Sequence, residues 1–594
     1  MNKLLCLRAS SALLLAVLLS ACADSTSDKS ATPAAAPASA PEPVAAEAAP
    51  PPVATAAAVT PMPSVRMRGD ERGQEGVLHE MRIARSADTV ELTRRVAAAE
   101  ADYYAPPQRE RYGKHSDNPV KLVAEEPVST FSIDVDTGSY SNVRRMLTQG
   151  QLPPRDAVRV EEMINYFPYR YALPEKGQGP FAVHTTLAAA PWNAERVLLR
   201  VALKGADIAK QTLPPVNLVF LVDVSGSMHS RDKLPLLQAS LKLMVGQMRA
   251  QDRISLVTYA GSTAVLVSGK SGTEQAEIVG AIDRLNAGGS TAGGAGIQLA
   301  YQQARQHFIK DGINRILLAT DGDFNVGITD FDELKQMVER ERQSGVSLST
   351  LGFGTGNYNE QLMEQLADVG NGAYSYIDSL MEGKKVLVNE MTSTLATIAR
   401  DVKIQVEFNP TQVSEYRLIG YENRMLRRED FNNDKLDAGD IGAGHTVTAL
   451  YELTLAGQKG SVDPLRYQDK AATPPAGHGD ELAFIKLRYK QPDAEHSTLI
   501  ELPLSRQALT RMEQADEDFR LAVAVAGFGQ LLRGSGNSGS WTYRDAKALA
   551  ADFDASPKGR RGVEDDYIAY RTELARLIDV AGALVGNQPP VRKE

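Results

Sequence analysis

The sequence predicts an α/β fold: a doubly wound, mostly parallel sheet, flanked by an antiparallel, sandwich-like β domain and a C-terminal helical section, behind a disordered N-terminal tether. Three observations carry this. Residues 216–222, Val-Asn-Leu-Val-Phe-Leu-Val, are almost all apolar, the pattern of a strand buried on both faces. Residues 254–259, 316–320 and 346–351 repeat that pattern with helical spacing between them, which calls for a sheet wrapped by helices. From residue 402 the periodicity falls to two, with polar breaks between short segments, as in a sandwich.

A chain of 594 residues with 43% hydrophobic residues can fill the cores of several domains. Its net charge is −9, and Lys and Arg are scattered among acids. That argues against general nucleic-acid affinity, which needs clustered positive charge.

The start of the chain is expected to be an export signal, the alternative being a cytosolic apolar start with an incidental cysteine. Lys3 and Arg8 flank a basic start, and residues 13–19 form an apolar run too short to span a bilayer. It ends in Leu19-Ser20-Ala21-Cys22, which resembles the bacterial lipoprotein cleavage box. The resemblance implies that residues 1–21 are removed and that Cys22 carries lipid on its sulfur. The only other cysteine, Cys6, lies in the removed segment, so a disulfide framework is excluded. Ala23, second in the mature chain, favours the outer membrane if the enterobacterial sorting rule applies. Residues 22–120 are expected to be a tether. Its first part is rich in Ala, Pro, Ser and Thr, which cannot bury enough surface to offset the entropy of ordering.

Residues 121–215 are expected to form an accessory domain. Its opening, Phe131-Ser132-Ile133-Asp134-Val135-Asp136, has two readings. A strand ending in Asp-x-Asp is how haloacid-dehalogenase-type phosphatases present an aspartate beside Mg²⁺. The other reading is a strand running into a helix capped by Asp136 or Ser139, with Val143 and Leu147 facing a core, and the sequence favours it because no later lysine and acidic pair follow in order. A helix over 159–171 and strands over 181–187 and 196–203 complete the segment.

Residues 216–400 are expected to hold the doubly wound sheet. Leu237, Leu241, Met244 and Met248 share one helical face. Where the 216–222 strand ends, Asp223, Ser225 and Ser227 alternate with Val224 and Gly226, so three oxygen-bearing side chains leave the edge where ligands collect in such sheets. Gly288-Gly289-Ser290-Thr291 opens a helix, and the 316–320 strand ends in Asp321-Gly322-Asp323. Hard oxygen donors without His or Cys suit Mg²⁺, Ca²⁺ or Mn²⁺ rather than Zn²⁺. Asp323, Asn325 and Gly327 extend the last loop, either as turn chemistry or as a rim where a partner docks. Gly352-Phe353-Gly354-Thr355-Gly356 lacks dinucleotide spacing and a Walker lysine, so it reads as a strand-end turn and no nucleotide is expected.

Asp-x-Ser-x-Ser, then Gly-Gly-x-Thr, then Thr-Asp-Gly together resemble the metal-ion-dependent adhesion site of von Willebrand factor type A (VWA) domains, a Rossmann-like doubly wound fold. The resemblance implies that Ser225, Ser227 and Thr291 approach a divalent ion directly or through water, while Asp223 and Asp321 hold its waters and supply charge. Asp-Val-Asp-Thr at 134–137, followed by Ser-Tyr-Ser-Asn-Val-Arg-Arg, is similar to the short domain that precedes the VWA domain in one family of bacterial lipoproteins. These also carry a C-terminal domain of uncharacterised function. Type A domains generally bind proteins, and the resemblance implies that a partner's Asp or Glu would complete the shell of a Mg²⁺ ion.

Residues 401–505 are expected to form the antiparallel β domain and residues 506–594 a helical region, with apolar faces at Leu521, Val525, Phe528 and Leu532 and at Tyr570, Leu574, Leu577 and Ile578. Asp430-Phe431-Asn432-Asn433-Asp434 mimics a calcium loop but places Lys435 where glycine is required. The expectation is a lipid-anchored, periplasm-facing envelope protein, not an enzyme, that binds a protein partner through a metal site. The alternatives are a Mg²⁺-dependent phosphatase using Asp134 and Asp136, and a partner of an ATPase complex, against which the export signal argues.

Overall fold

The computed structural model describes residues 110–291, 293–322, 331–463, 478–554 and 563–586. At its centre the Val216–Asp223 strand is buried at every position. Its alternate side chains feed two separate cores, as a strand covered on both faces must. Leu218, Phe220 and Val222 pack with Leu237, Leu241 and Ile278, and Val219 and Leu221 pack with Ile297, Leu334 and Leu366.

The sheet around this strand is six-stranded, in the order Tyr374–Ile377, Ser347–Phe353, Ile313–Thr320, Val216–Asp223, Arg253–Tyr259, Thr263–Ser271. All neighbours are parallel except the last pair. The Leu234–Val245 and Gln275–Asp283 helices cover one face, and the Gly293–Gln306, Phe331–Arg342 and Glu360–Val369 helices cover the other. This is the doubly wound fold expected from the sequence. The Tyr374–Ile377 edge strand was not legible, because its four residues are too few to show a period.

The remaining strands form two further sheets, and here the expected division of the chain is corrected. One sheet runs Lys121–Leu122, Val413–Ile419, Thr446–Leu455, Arg196–Gly205, Phe181–Ala189, Leu509–Thr510. The other runs Met425–Leu426, Val128–Ser132, Thr397–Phe408, Glu481–Lys490, Ser497–Ser505, with Gly439–Gly442 also pairing Thr397–Phe408. Residues 121–215 and 401–505 are therefore not separate domains. Strands from both segments pair in each of the two sheets to make one sandwich, whose core joins Phe131, Leu199 and Val201 to Ile404, Val406, Tyr451 and Ile485. Each segment alone would leave an apolar face uncovered, and a strand's partner across a long insertion cannot be read from its periodicity.

The helical region is likewise not independent. The Glu517–Arg533, Tyr543–Ala551 and Val563–Gly586 helices share a core with Gly138–Thr148 and Val160–Asn165, in which Tyr140, Val143 and Met163 meet Phe528, Leu574 and Ile578. The helix expected over 159–171 is confined to Val160–Asn165. Gly534 ends its helix in the left-handed region at φ 63°.

Most of the expected tether lies outside the described residues, but residues 110–120 do not behave as one. The Arg111 N–H donates to the Tyr358 carbonyl at 2.8 Å, the Glu360 N–H donates to the Arg111 carbonyl at 3.0 Å, and Asn118 Nδ2 reaches the Gly420 carbonyl at 2.7 Å. These are mostly backbone contacts, which side-chain composition does not reveal. Among the described residues no helix is long and apolar enough to cross a membrane.

Candidate metal centre

The strand-end loop after Asp223 folds on its own side chain. The Ser225 N–H donates to Asp223 Oδ1 at 2.8 Å, which bends the backbone into the Gly226–His229 turn and leaves the Ser225 and Ser227 hydroxyls 3.0 Å apart. The other carboxylate oxygen, Oδ2, accepts from the Thr320 hydroxyl at 2.7 Å and the Tyr259 hydroxyl at 3.3 Å. Asp223 is thus tied to both neighbouring strands.

The second loop is stitched to the first through the backbone. The Gly226 N–H donates to the Gly289 carbonyl at 3.0 Å, and the Gly288 N–H to the Val224 carbonyl at 2.8 Å. Gly289 has φ 85°, a conformation that disfavours other residues and leads the chain into buried Thr291 just before the Gly293–Gln306 helix. Asp321, fully buried, closes the set from the end of Ile313–Thr320, and its Oδ2 accepts from Lys233 Nζ at 2.8 Å and from Asn357 Nδ2 at 3.2 Å.

The electrostatics follow from this crowding. Burial pushes the Asp223 carboxyl up to about 6, and the Asp321 charge adds to the shift, against hydrogen bonds from Ser225 and Thr320. Two buried carboxylates that repel, beside paired hydroxyls, form a donor set of hard oxygens that fits Mg²⁺, Mn²⁺ or Ca²⁺. Among the described residues no three or more His, Cys, Asp or Glu are grouped to hold a metal, so hydroxyls make up most of this set. Sequence reasoning missed Lys233, Tyr259 and Asn357. None has a spacing signal, since each reaches the cluster from its own loop or strand.

Cys22, Asp323 and Asn325 lie outside the described residues.

Asp134 and Asp136 are brought together, but against an arginine. Arg424 approaches Asp134 Oδ2 with Nε at 3.3 Å and Asp136 Oδ2 with Nη2 at 3.1 Å. Asp136 Oδ1 accepts the Tyr374 N–H at 2.7 Å. Both carboxylates are buried, and burial, with mutual repulsion at Asp136, raises them. They act as a joint between the sandwich and the doubly wound sheet. The expected helix cap is corrected too: Thr137 takes the N-cap position without a side-chain bond, and Ser139 Oγ instead donates to the Ala157 carbonyl at 2.8 Å.

A doubly wound sheet with Asp-x-Ser-x-Ser, Thr and Asp at its carboxyl edge defines a VWA protein, and the von Willebrand factor type A domain family matches residues 217–389. Residues 106–200 match the von Willebrand factor family, and residues 393–584 match "Uncharacterized protein YfbK, C-terminal". The chain belongs to the YfbK family: it is 52% identical over 493 residues to the uncharacterized protein YfbK of Escherichia coli, covering 82% of this chain and 84% of that one. It is 28% identical over 174 residues to inter-alpha-trypsin inhibitor heavy chain H3 of Bos taurus, covering 28% of this chain and 19% of that one. Among solved structures, a von Willebrand factor type A protein from Catenulispora acidiphila matches with a TM-score of 0.36 and 17% identity, covering 64% of this chain and 88% of that one.

Proposed function

We infer that this protein is a lipid-anchored envelope factor that binds a protein partner through a divalent ion held by Asp223, Ser225, Ser227, Thr291 and Asp321. The observation that carries the reading is the convergence of two buried, mutually repelling carboxylates with paired serine hydroxyls on loops tied together by backbone bonds. A rigid oxygen cradle of this kind is pre-organised for a hard cation. A bound Mg²⁺ would supply an open position for a partner's Asp or Glu. The chain's own residues do the rest: Thr320 and Tyr259 fix the Asp223 carboxylate, and Lys233 and Asn357 fix Asp321. Asp323 and Asn325 are proposed as the rim that selects the partner, and Cys22 as the anchor to the membrane, with the protein facing the periplasm.

The test is capture of envelope proteins by the tagged chain, with Mg²⁺ or with chelator, alongside Asp223→Ala. Capture that requires both the ion and Asp223, from a variant with an unaltered circular dichroism spectrum, is the expected result. Capture indifferent to both would remove the reading.

A further inference from the structure

Among the described residues that hold the cluster Lys233 is the one cation, and the fold has made room for it. It precedes the Leu234–Val245 helix and is buried. Its Nζ donates to Asp321 Oδ2 at 2.8 Å and to Asn357 Oδ1 at 3.0 Å. Its stem lies against Gly354, where a Cβ would fall 2.2 Å from both Lys233 Cγ and Cε, and Gly354 itself has φ 76°. The glycine-rich turn after Ser347–Phe353 is therefore shaped around this side chain. Any residue but glycine there would displace it.

We propose that Lys233 is an affinity-setting residue of the metal centre: an internal ammonium that competes with the divalent ion for the Asp321 carboxylate. The proposal rests on the metal-site reading above. Two carboxylates would draw a divalent ion strongly into a buried site, but the ammonium cancels one of those charges and occupies an oxygen of Asp321. The ion is then held loosely, so a partner's carboxylate contributes a large share of the total attraction. Binding of ion and partner thereby become mutually dependent, since each repairs a charge imbalance that the other leaves.

The experiment titrates Mg²⁺ by calorimetry, and Tb³⁺ by tyrosine-sensitised luminescence, into the full chain and into Asp223→Ala, Lys233→Met and Lys233→Gln. Lys233→Met removes the charge, and Lys233→Gln removes it while keeping an N–H donor for Asp321, so the pair separates charge from positioning. Both Lys233 variants are expected to bind Mg²⁺ about tenfold tighter than the natural chain, with a larger fold-gain for Tb³⁺ because the Coulomb interaction scales with ion charge. A purely structural role would not produce that ordering. Unchanged or weaker binding in the Lys233 variants, with wild-type binding abolished by Asp223→Ala, overturns the role of Lys233 and leaves the metal site standing. If no chain takes up either ion, the metal site falls and the proposal with it. If one Lys233 variant does not fold, the other decides the outcome.

Discussion

Arg424 Nη1 donates to Asp368 Oδ2 at 2.7 Å, a contact that joins the turn before the Met425–Leu426 strand of the sandwich to the Glu360–Val369 helix of the VWA sheet. The same guanidinium meets Asp134, Asp136 and Glu364. One arginine thus pairs with carboxylates from both halves of the fold.

Removing it should be expensive. Arg424→Met leaves a group of buried carboxylates unpaired, and breaking a buried pair from one side costs about 3–5 kcal/mol. Thermal unfolding of the variant is expected to shift down by many degrees at neutral pH. A melting profile matching the natural chain would show that the joint is not held by charge.

Gly138 is a packing prediction. A Cβ there would meet the Tyr374 ring at 2.3 Å, and that ring is buried and hydrogen-bonded through its hydroxyl to Tyr358. Gly138→Ala should destabilise by about 1–3 kcal/mol through overpacking. Denaturant midpoints measured by fluorescence check this, and a neutral result would mean that the edge strand yields.

Glu360 makes stability depend on pH. Burial, with repulsion from Glu364, pushes its carboxyl from 4.5 up to about 8, against the pull of Arg159. The folded protein keeps a proton that the unfolded chain releases, so the contribution is intact below about pH 4.5 and is lost as pH rises through about 8. Glu360→Gln should therefore be more stable than the natural chain at pH 8, by on the order of a few kcal/mol, and little different at pH 4.5. Equal melting differences at the two pH values would contradict it.

The last residues of the expected tether reach the support of the candidate metal centre. Glu110 Oε1 accepts the Gly356 N–H at 3.0 Å, and Glu110 Oε2 pairs with Arg145 at 2.9 Å. Glu110→Ala should raise hydrogen exchange across 354–359, the turn that carries Asn357, and cost about 1–3 kcal/mol from the unpaired Arg145. Unaltered exchange there would uncouple the strap from the site.

The centre of the fold was legible because both faces of its strands are covered. A run such as Leu218 to Val222, apolar at every position, has few homes other than a wrapped parallel sheet. The candidate cluster was legible for a related reason: Asp223, Ser225 and Ser227 are close in the chain, Thr291 follows a turn that glycine marks, and Asp321 stands at a strand end just before Gly322. Lys233 and Asn357 carry no such mark, because a long side chain can reach a site from any loop that passes nearby. Asp134 and Asp136 illustrate the converse, since a strand end with two carboxylates looks the same whether it faces a metal or Arg424.

By itself, then, the sequence determined the alternation of strands and helices and the sheet edge at which the candidate oxygen residues stand, since local periodicity and turn chemistry are properties of neighbouring residues. Only the tertiary structure decided that residues on either side of the VWA sheet share one sandwich, that the C-terminal helices complete the core begun at Tyr140, and that an ammonium sits on Asp321. Those are pairings between distant residues. They follow from which apolar faces and buried charges must find a complement, and that is settled only when the whole chain packs.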